Sequence, residues 1–133
     1  VLLRSPLDAA LYRKIHSHQG DLVMAYELYL TSYEKSGAVD SMAICGNQVV
    51  GYSSDTKADL RFLERQVQQI LHQNGYPVKV KIFRDLNPFL ERLDSMNLHR
   101  EALEKDIKFT PDEKYPDLTR NELIKHTILA ISL

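Results

Sequence analysis

Two kinds of side chain in this sequence could carry chemistry: a pair of histidines and a cysteine. His16 and His18 stand two residues apart, and on a β-strand that spacing would place both rings on one side, where they could share a metal ion. The pair falls near the end of a predicted helix, however, where residues two apart point about 200° apart. No acidic ligand follows at a fixed spacing. We therefore predict no metal site and no cofactor.

Cys45 is the only cysteine, which excludes an intramolecular disulfide. A catalytic thiol needs a histidine base close in space, whereas an unpaired cysteine is usually a small buried apolar residue. Alternation along a strand puts Cys45 on the same face as Ser41 and Ala43. Met42 and Ile44 then lie on the opposite face. We expect a buried thiol, and a small Cys/His enzyme is only the third interpretation of this chain.

Tyrosines cluster in the N-terminal quarter of the sequence. Asp21 is a suitable cap for a second helix, and one face of that helix would carry Tyr26, Tyr29 and Tyr33. A stripe at helical spacing is most often part of a core, but tyrosine is also enriched where a surface is half-buried against a partner. We interpret these three tyrosines as a surface for a protein partner or for self-association, with simple core packing as the alternative.

Basic residues outnumber acidic residues six to four between positions 51 and 85. Three of them follow one side of a predicted helix, two share the outward face of a strand and one follows that strand: Lys57, Arg61, Arg65, Lys79, Lys81 and Arg84. Such a set could contact nucleic-acid phosphates. The excess is small, no aromatic residue is interleaved, and the helix and strand need not share a plane. Nucleic-acid binding is therefore the alternative function.

Composition indicates an ordinary globular protein, with 44% apolar and 26% charged residues and a formal net charge of −1. No apolar run approaches the roughly 20 residues that span a bilayer, and charged residues interrupt the N-terminus where a signal peptide would be apolar. We expect an intracellular, more specifically cytoplasmic, protein without membrane contact. The chain begins with Val1 and ends on apolar residues, so we expect a fragment of a larger protein, with N-terminal processing as the alternative.

The middle of the chain predicts a hairpin, a helix and a further strand. Strands over residues 41–45 and 48–52 flank Gly46-Asn47, which suits a two-residue turn. Apolar residues spaced three and four apart predict a helix over 57–74, and Gly75 ends it. Strict alternation over 78–82 predicts a third strand. A helical crossover makes this strand parallel to the second one, and we place it beside the first, in the order 2-1-3.

Helices are predicted on both sides of this unit. Two of them, over residues 5–20 and 21–37, would form an N-terminal helical hairpin. A helix from Asn87 either bends or divides near Asn97, and residues 109–116 form a loop. Thr119 and Glu122 match a capping box that starts the last helix, although the β-branched residues at 127–131 would also suit a strand.

These elements predict one α+β domain over residues 1–133, with a three-stranded, mostly antiparallel sheet packed by helices. The absence of a catalytic constellation, together with the clustered tyrosines, leads to a non-enzymatic protein-interaction or scaffolding domain as the first interpretation. The expected contact surface is the tyrosine-bearing helix side or an exposed edge of the sheet.

Overall fold

The computed structural model describes residues 8–31 and 35–132, which form a four-stranded sheet with helices on both faces. The elements follow in this order: α1 (Ala9–Ser17), β1 (Val23–Thr31), β2 (Ser36–Cys45), β3 (Gln48–Tyr52), α2 (Leu60–Gln73), β4 (Lys79–Phe83), α3 (Leu86–Leu98), α4 (Arg100–Glu104) and α5 (Arg120–Ala130). The predicted α+β class is confirmed. None of the helices formed by these residues combines the length and the apolar character needed to cross a bilayer.

The sheet has two apolar faces, and each packs against its own pair of helices. On one face, which we term the α2–α5 face, buried residues of β1–β4 contact α2 through Leu63 and Val67 and α5 through Ile124. On the other, the α1–α3 face, Ile15 of α1 and Phe89 of α3 pack on the sheet. The chain therefore forms three layers, helix, sheet and helix, with the sheet in the middle.

The predicted hairpin is confirmed at the turn. Cys45 pairs with Gln48 across Gly46-Asn47, and Gly46 has φ of +60°, a backbone conformation that favours glycine. A Cβ atom on Gly46 would also collide with the backbone carbonyl oxygen of Leu103. Glycine is thus required both by the turn and by the close approach of α4.

The predicted face of Cys45 is also confirmed. Ala43 and Cys45 belong to the core on the α1–α3 face, whereas Met42 and Ile44 belong to the core on the α2–α5 face. All four side chains are fully buried. The strand is therefore apolar on both sides, and each side requires a helical cover.

The predicted second helix over residues 21–37 is wrong, because the described residues of this segment form strand β1 and the start of β2. Its apolar residues mimic a helical period because Glu27, with φ of +56°, interrupts the alternation of the strand. Tyr26 packs on the α1–α3 face, whereas Leu28, two residues later, packs on the α2–α5 face. The N-terminal helical hairpin is therefore absent, and Tyr33 lies outside the described residues.

The predicted strand number and order are wrong as well. The sheet of the described residues has four strands in the order β1-β2-β3-β4, not three in the order 2-1-3. The last strand runs parallel to β3, as the crossover rule predicts. It cannot lie beside β2, because β1 already pairs antiparallel with β2 along that edge.

The C-terminal predictions are confirmed in most details. The helix that begins near Asn87 divides into α3 and α4 around His99, and the loop over 109–116 contains no helix or strand. Thr119 and Glu122 form both hydrogen bonds of the capping box, and α5 continues to Ala130. The last turn is thus helical, not a strand.

Side chains bond backbone donors on both edge strands of the sheet. On β4, the backbone N–H of Val80 donates to Gln68 Oε1 at 3.0 Å, and that of Ile82 donates to Glu64 Oε2 at 2.7 Å. On β1, the N–H of Tyr29 donates to Ser132 Oγ at 2.9 Å. These bonds occupy donors that an exposed edge strand would offer to another chain. The exposed sheet edge is therefore a poor docking site along these stretches.

Replacing Glu64 and Gln68 together with alanine tests this arrangement. Alanine keeps the propensity of α2, but it leaves two edge donors without their acceptors, so the free energy of unfolding should fall by about 1–3 kcal/mol. The exposed edge should also promote association at high concentration. Urea unfolding and light scattering over a concentration series measure the two effects.

The matched control is Arg61→Ala with Gln69→Ala, since both side chains are exposed on the same helix. This control should remain monodisperse and keep its stability. If the two double variants behave alike, the side-chain bonds to β4 contribute nothing to the protection of the edge.

Candidate interaction surface

The cysteine is unsuited to nucleophilic chemistry. Cys45 is fully buried in the core on the α1–α3 face. Burial, with a smaller contribution from the negative charge of Glu104, raises the pKa of its thiol to about 11. The thiolate is the reactive form, and it is scarce at neutral pH when the pKa is that high. Among the described residues, no hydrogen bond joins Cys45 to a histidine.

The two N-terminal histidines contact different partners. His16 Nδ1 lies 3.0 Å from Gln19 Oε1, whereas His18 Nδ1 lies 2.7 Å from Asp94 Oδ1 on α3. Within residues 8–31 and 35–132, no group of three or more histidine, cysteine, aspartate or glutamate side chains is arranged to hold a metal ion. The contacts of His16 and His18 instead join α1 to its following turn and to α3.

The six basic residues named above do not form one surface. Lys57, Arg61 and Arg65 are exposed at or before α2, on the α2–α5 face. Lys81 lies on the other side, because its Nζ is 5.8 Å from the centre of the Phe83 ring, and Phe83 packs on the α1–α3 face. Lys79 shares that side of β4 with Lys81, since side chains two apart on a strand point the same way.

Arg84 forms hydrogen bonds to the backbone of the protein itself. Its guanidinium donates to the backbone carbonyl of Asp55 at 3.1 Å and to that of Ala58 at 2.8 Å. These bonds tie the end of β4 to the loop that enters α2. The side chain is therefore engaged by the protein itself and is not available as a member of a phosphate-binding stripe.

Tyr26 and Tyr29 still share one side of the chain, although on a strand instead of a helix. Leu28 and Leu30 both pack on the α2–α5 face, so the intervening Tyr29 points to the opposite face, where Tyr26 packs. The Tyr29 hydroxyl lies 3.2 Å from Ser36 Oγ. Glu27, with its positive φ, is the residue that brings the two tyrosines to the same side.

Tyr26 forms the wall of an open cleft between α1 and β1. The cleft measures about 380 Å³, and we term it the tyrosine cleft; it is lined by Ala9, Tyr12, Arg13, Tyr26 and Glu27. The rings of Tyr12 and Tyr26 meet at a centroid distance of 4.8 Å with an interplanar angle of 59°. Tyr12 is 40% exposed. The cleft thus combines a solvent-facing aromatic pair with one basic and one acidic side chain.

Hydrogen bonds hold the aromatic pair in place. The Tyr26 hydroxyl donates to Gln19 Oε1 at 2.9 Å, and His16 reaches the same oxygen while its ring stacks on Tyr12 at 5.6 Å. Burial, and then the nearby Tyr12, raises the pKa of Tyr26 to about 12. The phenol therefore stays protonated at neutral pH and keeps its role as donor.

Next to the cleft, a buried hydroxyl has no partner. Ser41 on β2 pairs with Tyr26 on β1 and with Tyr52 on β3, and its Oγ is the one buried side-chain oxygen or nitrogen of the described residues without a hydrogen bond. Burial, followed by the charges of Asp40 and Asp85, raises the pKa of Tyr52. A row of three hydroxyl-bearing residues thus crosses the sheet beneath this surface.

Sequence reasoning missed the partners of Tyr26. Tyr12 and Arg13 come from α1, which lies at the other side of a turn, and Glu27 was assigned to a helix. One signal was present: Leu11 and Ile15 define the buried side of the first helix, so Tyr12 had to lie away from it. Its contact with Tyr26 depends on the strand conformation of residues 23–31, which the periodicity concealed.

No protein-family model matches this chain, and neither a curated protein nor a solved structure matches it.

Substitution of Ser41 by alanine should stabilise the fold. The change removes a buried hydroxyl that has lost its hydrogen bonds to water, so we expect the free energy of unfolding to rise by about 1 kcal/mol. Chemical denaturation monitored by circular dichroism measures the difference.

Ser53→Ala is the matched control, because Ser53 is equally buried but its Oγ donates to the carbonyl of Ala38 at 2.5 Å. Loss of that bond should destabilise the chain by about 1–3 kcal/mol. Equal destabilisation by the two substitutions would mean that Ser41 has a hydrogen-bond partner after all.

Proposed function

We propose that this chain is a non-enzymatic protein-interaction domain that binds a peptide segment of a partner in the tyrosine cleft. The observation that carries the proposal is the exposed contact between Tyr12 and Tyr26 at the edge of an open cavity. Tyrosine suits such a place because its ring can be covered by a partner while its hydroxyl remains hydrogen-bonded.

The cleft suits an apolar side chain as the central anchor of the peptide. Its volume of about 380 Å³ is within the range of small binding pockets. The ring of Tyr12 contacts the rings of both His16 and Tyr26. A rigid aromatic wall loses little side-chain entropy on binding, and this favours affinity for an inserted group.

The charges of α1 favour acidic residues beside that anchor. Helix α1 carries Arg13 and Lys14 and no acidic residue between its first and last positions. Asp8, just before the helix, accepts hydrogen bonds from the N–H groups of Ala10 and Leu11 and serves as its N-cap. An acidic peptide would therefore meet two cations of the helix, Arg13 and Lys14, against the one carboxylate that lines the cleft, Glu27, and this balance favours both encounter and orientation.

The sheet edges and the cysteine offer less to a partner. Side chains of α2 and Ser132 cover edge donors on β4 and β1. The reactive group that an enzyme would use, the thiol of Cys45, is buried with a raised pKa. These observations support recognition over catalysis, and they support the tyrosine cleft over strand addition at the sheet edges.

Selection of peptides from a random display library against the whole chain tests the proposal. We expect enriched peptides to contain an apolar residue flanked by acidic residues. Their affinity for Tyr12→Ala should fall by about tenfold or more, because alanine removes one wall of the cleft. Arg13→Glu should weaken binding further for the more acidic peptides, and fluorescence anisotropy measures each dissociation constant.

Tyr115→Ala is the matched control for this experiment. Tyr115 is 39% exposed, and the centre of its ring lies 5.0 Å from the centre of the His126 ring. It therefore resembles Tyr12 in exposure and in having a histidine neighbour. Affinity should be unchanged in this variant. Equal weakening in both variants, or a failure to enrich any peptide, would contradict the proposed cleft.

Self-association requires a separate measurement. Sedimentation of the wild type and of Tyr12→Ala over a concentration series shows whether a second copy occupies the cleft. If the wild type forms a dimer and Tyr12→Ala is a monomer, the tyrosine cleft is still the binding surface, and its partner is a second copy of the chain.

A further inference from the structure

A second surface, distant in the fold from the tyrosine cleft, concentrates positive charge between β4 and α3. Lys81 Nζ lies 5.8 Å from the centre of the Phe83 ring, and the guanidinium carbon of Arg92 on α3 lies 5.6 Å from the same point. The charged groups of Lys81 and Arg92 therefore both lie close to one ring. Lys79 is exposed two residues before Lys81 and points to the same side.

Among the described residues, Lys79, Lys81 and Arg92 form no ion pair with a carboxylate, and the carboxylates of Asp40 and Asp85 act on the neighbouring Tyr52. Ion pairs within the described chain join His18 to Asp94, Lys35 to Asp59 and Arg100 to Asp21. None of them includes Lys79, Lys81 or Arg92. Phe83 holds two of the cations through its ring instead, and an aromatic ring attracts a cation without cancelling its charge.

We infer that Lys79, Lys81 and Arg92 bind the phosphate backbone of single-stranded nucleic acid along the surface between β4 and α3. This inference is independent of the peptide-binding function proposed above, since it uses none of the residues of the tyrosine cleft.

The arrangement of the cations suits an extended polyanion more than a small anion. All three side chains are exposed, and Lys79 and Lys81 are separated by about 6.6 Å of strand. A small anion is usually held by donors that converge in a partly enclosed site, whereas a row of exposed cations follows a charged chain. Successive phosphates of a nucleic-acid strand provide such a row of negative charges.

Aromatic residues beside the three cations favour a single strand over a duplex. Phe83 pairs in register with Tyr52 on β3, and both rings lie near Phe89, at centroid distances of 6.4 Å and 5.9 Å. Phe83 and Tyr52 are partly exposed. Unpaired bases can contact such rings, while the bases of a duplex are stacked on one another and cannot.

The division of the basic residues between the two faces supplies a matched control. Lys57, Arg61 and Arg65 lie on the α2–α5 face, so neutralising them removes the same charge from the opposite side of the sheet. A variant with Lys79→Gln, Lys81→Gln and Arg92→Gln can therefore be compared with one carrying Lys57→Gln, Arg61→Gln and Arg65→Gln. All six side chains are exposed, and circular dichroism verifies that both variants fold.

The experiment is a fluorescence-anisotropy titration with labelled oligothymidylate at about 50 mM and about 200 mM salt. For the wild type, three phosphate contacts predict a slope of about −2 for the logarithm of the binding constant against the logarithm of salt concentration. The β4–α3 variant should bind about tenfold or more weakly with a smaller slope. The α2 variant and Tyr12→Ala should bind like the wild type.

Four results would overturn the inference. They are no binding by the wild type at the lower salt concentration, equal loss in the two triple variants, a larger loss in the α2 variant, and equal affinity for a duplex of the same length. An equal loss of affinity in the two triple variants would mean that binding depends only on the net charge of the protein. Equal affinity for the duplex would exclude a role for the aromatic rings.

Discussion

The structure depends on one constraint: the central strands of the sheet are apolar on both faces. Met42 and Ile44 of β2 point to one side and Ala43 and Cys45 to the other, and all four are fully buried. Water must be excluded from both sides of such a strand, so helices are needed above and below it. The two helical layers follow from this requirement, and they divide the surface of the molecule into two separate faces.

The positions of the two proposed binding surfaces follow from that division. Helix α1 covers its face only partly, and the uncovered part beside β1 is the tyrosine cleft. On the same side of the sheet, α3 packs beside β4 and brings Arg92 to the lysines of that strand. The cations of α2 lie across the sheet, too far around the molecule to join them. Both proposed binding surfaces therefore lie on a helix-bearing face, and side chains occupy edge donors on β1 and β4.

Local signals predicted the parts of the fold that local chemistry determines. Gly46-Asn47 predicted the hairpin turn, apolar spacing predicted α2, and Thr119 with Glu122 predicted the start of α5. β1 was missed because one residue with positive φ, Glu27, shifts the alternation and imitates a helical period. That error removed a strand and so misplaced β4.

Sites formed by segments that are distant in the sequence could not be predicted, because their geometry depends on how the strands and helices pack together. Tyr12 meets Tyr26 only when β1 is a strand, and Arg92 joins Lys81 only when α3 packs beside β4. Tyr26 and Lys81 were identified by residue type, whereas the side chains that complete each surface come from other elements. The burial of Cys45, in contrast, depends on simple alternation within β2, and the sequence predicted it correctly.

Amide hydrogen exchange at the β4 edge tests the central claim, that side chains close this edge so that recognition occurs on the helix-bearing faces. The N–H groups of Val80 and Ile82 should be protected like that of Lys79, which bonds the carbonyl of Asn47 within the fold. Glu64→Ala should abolish protection at Ile82 alone. Exchange of Val80 and Ile82 at the rate of an unstructured peptide, with Lys79 protected, would mean that the edge is open and would contradict the account.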